Sequence, residues 1–571
     1  MSDRPPAVEA RTPPSLRNAL EDRLGAARRE RVAERVRSGD ATLWAPAGTA
    51  EVADRLGWLT IAERMLEQLD EVEAFAEEIR DEGFTNVVVL GMGGSSLAPE
   101  VLRRSFGPAE GRPRLHVLDS TDAATIRAVQ DAVAGSRTLF VVSSKSGGTI
   151  EPLSLFAHFY SVVGDGACFV AITDPGSGLE RLAAERCFRR TFSGDPDIGG
   201  RYSALSPFGI VPGALMGADV RALLEGASGA WRTDLREAPE AEAEPEAAIW
   251  LGAALSAFAQ AGRDKLTFLI GETLPGLGLW LEQLVAESTG KHGRGILPVA
   301  EEPPGAPSVY GPDRVFAHLP DLGAPDPTLQ ARALALAEAG HPVITIPTYG
   351  PGDLGRIFLL AEIAVAVAGW GLQINPFDQP NVQQAKDATK RVLADFQAHG
   401  ELAVPDPADD AAVRTLLFDS RPPEYVAIMA YARPSRELDE AVAELRRTVR
   451  GAGRATTTFG YGPRFLHSTG QFHKGGPRTG RFLQVLHDGP ADVTIPGEPY
   501  SFTTLKEAQA IGDLSTLREL GLPAERVRLE GDDPAGALRS LSARIEALGV
   551  GESGPEDGYS NQQSRPAAGS R

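Results

Sequence analysis

Cysteine is nearly absent from this sequence, since Cys168 and Cys187 are the only two among 571 residues. Two thiols are too few to crosslink a chain of this length, so a disulfide framework is excluded. Basic residues are also in deficit, because 57 lysines and arginines stand against 77 aspartates and glutamates, for a net charge of −20. Nucleic acid binding requires a basic face that displaces counterions, and this balance argues against nucleic acid as a partner.

A long uncharged apolar run is missing as well. The most apolar stretch, residues 357–370, is too short to span a bilayer and contains Glu362, so it predicts a buried helix. The first residues are prolines and charged side chains, not the apolar core of a signal peptide. We therefore expect a cytoplasmic protein that has no membrane partner.

The pattern that is present is typical of a multidomain α/β protein. Four short, continuous apolar runs between residues 87 and 172 are each followed by a helical pattern, as in parallel strands buried on both faces. A second alternating set begins near residue 265, and a third block begins near residue 406. The predicted organisation is a disordered segment at 1–17, an N-terminal helical segment at 18–82, a first α/β domain at 83–236, an acidic linker at 237–246, a second α/β domain at 247–404, a C-terminal α/β block at 405–550 and a disordered tail at 551–571.

Two polar turns follow apolar runs in the first α/β domain. Residues 91–96 (GMGGSS) follow the run at 87–90, and residues 143–149 (SSKSGGT) follow the run at 139–142. Hydroxyls, backbone N–H groups and one ammonium at a helix start are the donors that a phosphate needs. The spacing fits neither a dinucleotide fingerprint nor a P-loop. Each turn alone is also compatible with a tight strand–helix connection, but two on one sheet favour a ligand at its carboxyl edge.

Two further segments supply candidate charged groups. Arg201 follows two glycines in residues 199–203 (GGRYS), and it is either a structural ion-pair former or a clamp for developing negative charge. Gln283 and Glu287 share one face of a predicted helix in residues 283–291 (QLVAESTGK). The helix dipole opposes a carboxylate near a helix C-terminus, which tends to raise its pKa toward that of a useful base. A solvent-facing glutamate is the common alternative at any single position.

Two loops of interest lie further along the chain. Residues 375–386 (NPFDQPNVQQAK) predict a loop and then a helix that carries Lys386 about two turns in. Residues 465–476 (FLHSTGQFHKGG) contain two of the nine histidines, His467 and His473. A lone histidine is usually structural, and this pair has no cysteine or carboxylate beside it, so a zinc site is disfavoured.

Taken together, these motifs resemble phosphoglucose isomerase, and especially the isomerase half of bifunctional transaldolase/phosphoglucose isomerase chains. That family has, in order, a GIGGS turn, an SK[ST]xxT phosphate loop, a GGR[YF]S segment, a QxxxESxGK helix and an NxFDQxxxExxK helix. Counterparts of all five occur here in the same order, and the resemblance covers about residues 40–545. It implies an α/β fold of two sugar-isomerase (SIS-type) three-layer sandwich domains with parallel sheets, plus the smaller C-terminal α/β block, and usually a homodimer.

The resemblance also implies roles for individual residues. Glu287 is expected to be the base, Arg201 to stabilise an enediolate, and Lys386 to aid ring opening. The implied reaction interconverts glucose 6-phosphate and fructose 6-phosphate, and it requires no metal or cofactor because the carbonyl already acidifies the neighbouring C–H bond. The implied substrate-binding residues are Gly94 and Ser95 for sugar hydroxyls, Ser144, Lys145, Ser146 and Thr149 for the phosphate, and Gln283 and Gln379 in the pocket lining.

Three departures from the family pattern stand out. Gly148 replaces a threonine of the phosphate loop, and Gln383 replaces a glutamate of the last helix. The ring-opening histidine of the family normally precedes that helix, whereas here its HSxGQ pattern follows the helix, at His467. We interpret this as a rearranged chain order. We predict that the loop at 465–474 folds back and brings His467 to Glu287 within the same chain, although an approach from a partner subunit is the alternative.

Three other functions remain as alternatives. A mannose-6-phosphate or dual-specificity isomerase would use the same groups. A non-catalytic sugar-phosphate-binding regulator would need the phosphate loop but not the base, and Glu287 argues against it. Transaldolase activity is disfavoured, because residues 1–80 are too few to hold a barrel.

Overall fold

The computed structural model describes residues 8–236 and 247–548, so the predicted acidic linker at 237–246 and the predicted tail at 551–571 lie outside the described residues. Within them, three sheets of mainly parallel strands are accompanied by helices, which confirms the predicted α/β class. The strands are β1 (Glu9–Arg11), β2 (Asn86–Gly91), β3 (Arg114–Leu118), β4 (Thr138–Ser143), β5 (Phe169–Thr173), β6 (Arg190–Ser193), β7 (Lys265–Ile270), β8 (Leu297–Val299), β9 (Arg314–Leu319), β10 (Val343–Thr345), β11 (Tyr425–Tyr431), β12 (Thr456–Tyr461), β13 (Gly480–Leu486) and β14 (Ala524–Arg528).

Helices fill the connections between the strands. They are α1 (Pro14–Arg29), α2 (Val32–Arg37), α3 (Ile61–Asp81), α4 (Leu97–Phe106), α5 (Ala123–Val133), α6 (Ile150–Val163), α7 (Gly178–Glu185), α8 (Pro207–Met216), α9 (Val220–Arg236), α10 (Ala247–Gln260), α11 (Leu277–Thr289), α12 (Pro327–Glu338), α13 (Leu354–Leu372), α14 (Pro380–His399), α15 (Asp410–Phe418), α16 (Arg436–Gly453), α17 (Gly470–Gly475), α18 (Phe502–Glu519) and α19 (Pro534–Ala547). The predicted leading helical segment corresponds to α1, α2 and α3.

The first sheet has the strand order β3-β2-β4-β5-β6, and all of its neighbouring strands are parallel. Every residue of β4 and β5 is buried, which explains why the apolar runs in the sequence are continuous rather than alternating. The four predicted strands are confirmed, with ends that shift by about one residue. Sequence analysis does not predict β6, because only Phe192 of its four residues is buried.

The second sheet has the order β1-β10-β9-β7-β8. Strand β1 pairs antiparallel with β10, with Ala10 opposite Ile344, while the other pairs are parallel. The prediction of disorder at 1–17 is therefore wrong from residue 8 onward. The physical reason is that β1 covers an otherwise open sheet edge, and α1 then begins at Pro14.

The third sheet, β12-β11-β13-β14, is fully parallel and belongs to the C-terminal block. The sequence predicts β11 and β13 from their apolar runs. It does not predict β12, which opens with three threonines, or β14, which carries three charged side chains in five residues.

Helix α18 joins the third sheet to the first. Phe502 and Leu505 pack in the same apolar core as Val88 of β2, whereas Leu514 and Leu517 pack in the core beneath the third sheet. Fully burying one such side chain stabilises the fold by roughly 1.5–3 kcal/mol. The C-terminal block is thus built into the core of the molecule.

Helix α13 contains the most apolar stretch of the chain. The segment Pro351–Leu372 has the length and composition of a membrane span, but the fold buries every residue of it from Leu354 to Leu372. The predicted buried helix at 357–370 is therefore confirmed, and Glu362 is enclosed with it.

Candidate active site

The two polar turns of the first sheet lie side by side at its carboxyl edge. Gly91 at the end of β2 is the register partner of Ser143 at the end of β4. Gly94 lies so close to the GGRYS segment that a Cβ there would collide with the Gly200 carbonyl, and only glycine permits this approach. Ser95 beside it is buried. Three of the predicted motifs therefore meet at one sheet edge.

The candidate base, Glu287, lies in the last turn of α11 and is 3% exposed. Its Oε1 accepts a hydrogen bond of 3.4 Å from Gln283 Nε2, and its Oε2 accepts one of 3.4 Å from Arg201 Nη1. Burial raises the pKa of Glu287, while the Arg201 charge and the Gln283 hydrogen bond oppose the rise. Sequence analysis attributes this shift to the helix dipole, whereas burial is the largest cause here. A buried carboxylate with a raised pKa and long hydrogen bonds is suited to accept a proton.

Arg201, 1% exposed, is anchored on two sides of its guanidinium. Nε donates to Ser288 Oγ at 2.9 Å, and Nη2 donates to two carbonyls of the loop at 376–378, at 2.6 and 2.9 Å. Nη1 makes the two longer contacts, to Glu287 and to Gln379 Oε1 at 3.1 Å. The Nη1 side is therefore the one at which a substrate oxygen can replace a side-chain acceptor.

Lys291 holds the same loop from the other side. Its Nζ donates to the carbonyls of Asn375 and Asp378 at 2.6 Å each, and it pairs with the Asp378 carboxylate at 2.6 Å. Burial and the Arg201 charge lower the pKa of Lys291 to about 7, against the opposing effect of Asp378. Two cations thus fix the loop that precedes α14.

His467 reaches the site from the third sheet. It ends the short turn Arg464–His467, which follows β12. Its carbonyl accepts a 2.8 Å hydrogen bond from Gln283 Nε2, the same nitrogen that contacts Glu287. Gly93, with a φ of +56°, leaves room for this contact, since a Cβ there would lie 2.8 Å from both bonded atoms. The loop that sequence analysis expects to fold back therefore lies against α11 of its own chain.

Glu151 is a site residue that sequence analysis misses. Its Oε1 lies 2.9 Å from His467 Nε2, and the carboxylate is 3% exposed. Burial opposes its ionisation, but the charges of His467 and Lys386 and the His467 hydrogen bond outweigh burial and lower the pKa of Glu151. Its position two residues after Thr149, in the first turn of α6, is the signal that the sequence offers.

The predicted phosphate loop is partly exposed. Ser144 is buried and donates from Oγ to Thr149 Oγ1 at 3.1 Å, whereas Ser146 is exposed. Thr149 is the residue that precedes α6, and its side chain makes no capping hydrogen bond. The helix N-terminus and the hydroxyls are thus arranged for an anion.

Lys145 is paired in a way that the sequence does not predict. Its Nζ donates to the carboxylate of Asp174 and, at 2.9 Å, to the carbonyl of Asp195. Burial raises the pKa of Asp174, and the hydrogen bond from Lys145 opposes that rise. A phosphate bound at the loop would share the Lys145 ammonium with this carboxylate.

Gln471 ties the histidine loop to the two helices beside it. Its Nε2 donates to the carbonyl of Gly290 at 2.9 Å and to Asn381 Oδ1 at 2.8 Å. Gly290 directly follows α11, and Asn381 lies in the first turn of α14. Half-buried Lys386 lies further along α14. The base helix, the histidine loop and the lysine helix are thereby connected.

Known proteins resemble this chain in sequence and in fold. The family model described as phosphoglucose isomerase matches residues 31–295. A glucose-6-phosphate isomerase of Rubrobacter xylanophilus is 31% identical over 428 residues, which cover 65% of this chain and 96% of the relative. The chain belongs to the phosphoglucose isomerase family. A second relative named glucose-6-phosphate isomerase, from Trichormus variabilis, is 29% identical over 382 residues, with 58% of this chain and 72% of the relative covered.

Two solved structures share the fold of this phosphoglucose isomerase family member. A hypothetical protein of Thermus thermophilus superposes with a TM-score of 0.55 at 26% identity, over 68% of this chain and 100% of its own. A glucose-6-phosphate isomerase of Chlamydia trachomatis superposes with a TM-score of 0.53 at 19% identity, over 66% and 86%. The family model covers Arg201 and Glu287, whereas Gln379, Lys386 and His467 lie beyond residue 295.

The two histidines of residues 465–476 lie in different surroundings in this family member. Within residues 8–236 and 247–548, no three His, Cys, Asp or Glu side chains converge as metal ligands. His467 faces Glu151, whereas His473 packs against the rings of Tyr425 and Phe482. Burial lowers the pKa of His473 to about 3, so His473 is a neutral core residue at physiological pH.

Proposed function

We propose that this protein is a glucose-6-phosphate isomerase, which interconverts glucose 6-phosphate and fructose 6-phosphate without a metal or organic cofactor. One observation carries the proposal. The Gln283 amide contacts both Glu287 and the backbone of His467, so the candidate base lies beside the loop that carries the candidate ring-opening group. The names of the relatives support the substrate, a phosphorylated sugar.

In the proposed mechanism, the residues at 144–149 hold the phosphate and the sugar arrives as a closed ring. His467, with Lys386 nearby, moves a proton between the anomeric hydroxyl and the ring oxygen, and the bond between the anomeric carbon and the ring oxygen breaks. His467 Nε2 is directed at Glu151, so we assign Nδ1 to the sugar. The Glu151 carboxylate stabilises the imidazolium that forms, as a buried acid beside a catalytic histidine does.

The hydrogen shift follows ring opening. Glu287 removes the proton from C2 of the aldose, and the C–H electrons form the C1–C2 double bond of a cis-enediolate. The negative charge develops on an oxygen that Arg201 Nη1 can reach, which is electrostatic stabilisation in a buried site. A proton passes from the C2 hydroxyl to the C1 oxygen, and Glu287 then returns the carbon-bound proton to C1, which leaves the carbonyl at C2. C1 is reduced as C2 is oxidised, so no external oxidant is needed.

A coupled assay tests the proposal. Purified protein is mixed with fructose 6-phosphate, and glucose 6-phosphate is read out through NADP-dependent glucose-6-phosphate dehydrogenase, with and without EDTA. We expect turnover that EDTA leaves unchanged, while Glu287→Gln protein purified in parallel reports any contaminating host isomerase. Absence of turnover in the wild type would overturn the proposal, and a parallel assay with mannose 6-phosphate tests the dual-specificity alternative.

We also propose that the protein acts as a homodimer in the cytoplasm. The family resemblance supports the dimer, and the presence of only two cysteines is typical of a protein of a reducing compartment. Light scattering on the purified protein should give twice the chain mass of 60.5 kDa. A monomeric mass would refute the dimer and leave the proposed activity untouched.

A further inference from the structure

Helix α18 carries a stripe of three polar side chains within its buried surface. Lys506, Gln509 and Asp513 are spaced i, i+3 and i+7, so they lie on one helix face. Each is at most 2% exposed. Burying such groups costs stability unless each one is paired, so the stripe requires a partner for every one of its side chains.

The two charged ends of the stripe attach α18 to its neighbours. Lys506 Nζ pairs with Asp122 at 2.8 Å, in the segment that follows β3 of the first sheet. Asp513 pairs with Lys474 at 2.5 Å, in the helix α17 that follows the His467 loop. These two buried ion pairs fix the position of α18 between the first sheet and that loop.

Between the ion pairs, Gln509 bridges the first sheet to Glu151. Its Nε2 donates to Glu151 Oε1 at 2.8 Å, and its Oε1 accepts a hydrogen bond of 2.8 Å from Thr121 Oγ1. An ionised carboxylate only accepts hydrogen bonds, so Glu151 takes the Nε2 end of the amide, and the Thr121 hydroxyl holds the Oε1 end by donating to it.

The consequence of this bridge lies at the Glu151 carboxylate. Glu151 Oε1 accepts the hydrogen bond from Gln509 Nε2, and the same oxygen lies 2.9 Å from His467 Nε2. Two partners on one oxygen restrict the rotation of the carboxylate, and the carboxylate in turn fixes the plane of the imidazole. Without Gln509, the Glu151 carboxylate beside His467 would lose the side-chain contact that ties it to α18.

We propose that Gln509 is a positioning residue for ring opening, which acts by orienting the Glu151 carboxylate that holds His467. The inference rests on the proposed function, since ring opening has meaning only for a cyclic sugar phosphate. It gives the C-terminal block a second contribution to the site besides His467. Gln509 lies outside the residues that the family model matches.

The test compares two substrates in one variant. Gln509→Leu keeps side-chain size and removes both hydrogen bonds, and the substrates are fructose 6-phosphate and its analogue without the C5 hydroxyl, which cannot cyclise. We expect kcat/KM to fall about 10- to 100-fold for the natural sugar and less than about threefold for the open-chain analogue. An equal fall for both sugars, or no fall, would overturn the inference.

Gln484→Leu is the matched control, because Gln484 is a buried glutamine that donates to the Ala510 carbonyl of the same helix. It should leave the ratio between the two substrates unchanged. The wild-type assay separates the two claims. An inactive wild type refutes the proposed function, whereas an active wild type with an unchanged ratio in Gln509→Leu refutes the positioning role alone.

A second variant covers the case in which Gln509→Leu does not fold. Thr121→Val removes only the hydroxyl that donates to Gln509 Oε1, and it should shift the substrate ratio several-fold in the same direction. Thr516→Val is its control, since that hydroxyl donates only to the Gly512 carbonyl of its own helix. In a folded double variant, Thr121→Val should add little to Gln509→Leu; full additivity would refute the bridge.

Discussion

Glu287 and Glu151 are equally buried, at 3% exposure each, but their pKa values shift in opposite directions. Burial raises the pKa of Glu287, and the hydrogen bonds from Arg201 and Gln283, which are long at 3.4 Å each, do not offset this rise. Burial also works against ionisation of Glu151, but His467 at 2.9 Å and the charge of Lys386 outweigh it.

The difference shows how one fold assigns two roles to one residue type. A carboxylate whose burial is poorly compensated readily takes up a proton, and a carboxylate whose burial is well compensated stays ionised. Pairs of carboxyl groups whose environments separate their pKa values commonly divide the acid–base work of an enzyme. Here Glu287 is suited to move a proton, and Glu151 is suited to hold a histidine.

The largest expected effect comes from removing the base. Glu287→Gln keeps the size of the side chain and removes proton abstraction, so kcat should fall by about three orders of magnitude or more while KM changes little. Steady-state kinetics with fructose 6-phosphate measure both constants. Near-normal turnover would mean that the base is another residue.

Substitution of His467 should have a smaller effect, and one that depends on whether the sugar is closed or open. His467→Ala should lower kcat for fructose 6-phosphate about 100-fold, and far less for the open-chain analogue, since only the closed sugar needs ring opening. Glu151→Gln should show the same selectivity to a lesser degree. If His467→Ala slowed both sugars equally, His467 would be a structural residue.

Substitutions in the predicted phosphate loop should change KM rather than kcat. Lys145→Ala and Thr149→Val remove contacts that persist in the ground and transition states, so each should raise KM about tenfold with kcat nearly unchanged. Inorganic phosphate should inhibit the wild type competitively and weakly. Equal turnover of unphosphorylated fructose would refute the phosphate assignment.

The smallest effect on activity, and a clear one on stability, is expected at His473. Its pKa is about 3 in the folded protein and 6.5 ordinarily, so between those values the unfolded chain binds a proton that the folded chain does not. Stability is therefore lost as the pH falls from about 6.5 toward 3, by about 3–5 kcal/mol in total. His473→Phe should reduce this acid sensitivity in denaturant unfolding, whereas His292→Asn, at an exposed position, should not.

Much of the fold and part of the site can be predicted from the sequence. Apolar runs predict the central strands, and the spacing of Gln283 and Glu287 predicts their shared face. Polar strands such as β12 are missed because they have no apolar run, and only neighbouring elements of the fold bury them. Glu151 and the Asp174 partner of Lys145 are missed because single carboxylates carry no local pattern, and both act across the tertiary structure.

The position of α18 late in the sequence affects when the chain can fold during its synthesis on the ribosome. Thr121 and its partner Gln509 are 388 residues apart in the sequence, and at 5–20 residues per second the second partner is made roughly 20–80 s after the first. During that interval the apolar surface of the first sheet that α18 later covers stays uncovered, so a nascent chain exposes it to chaperones and to other chains. Catalytic competence would then arrive late and all at once, when the ribosome has released enough chain for α18 to enter its place.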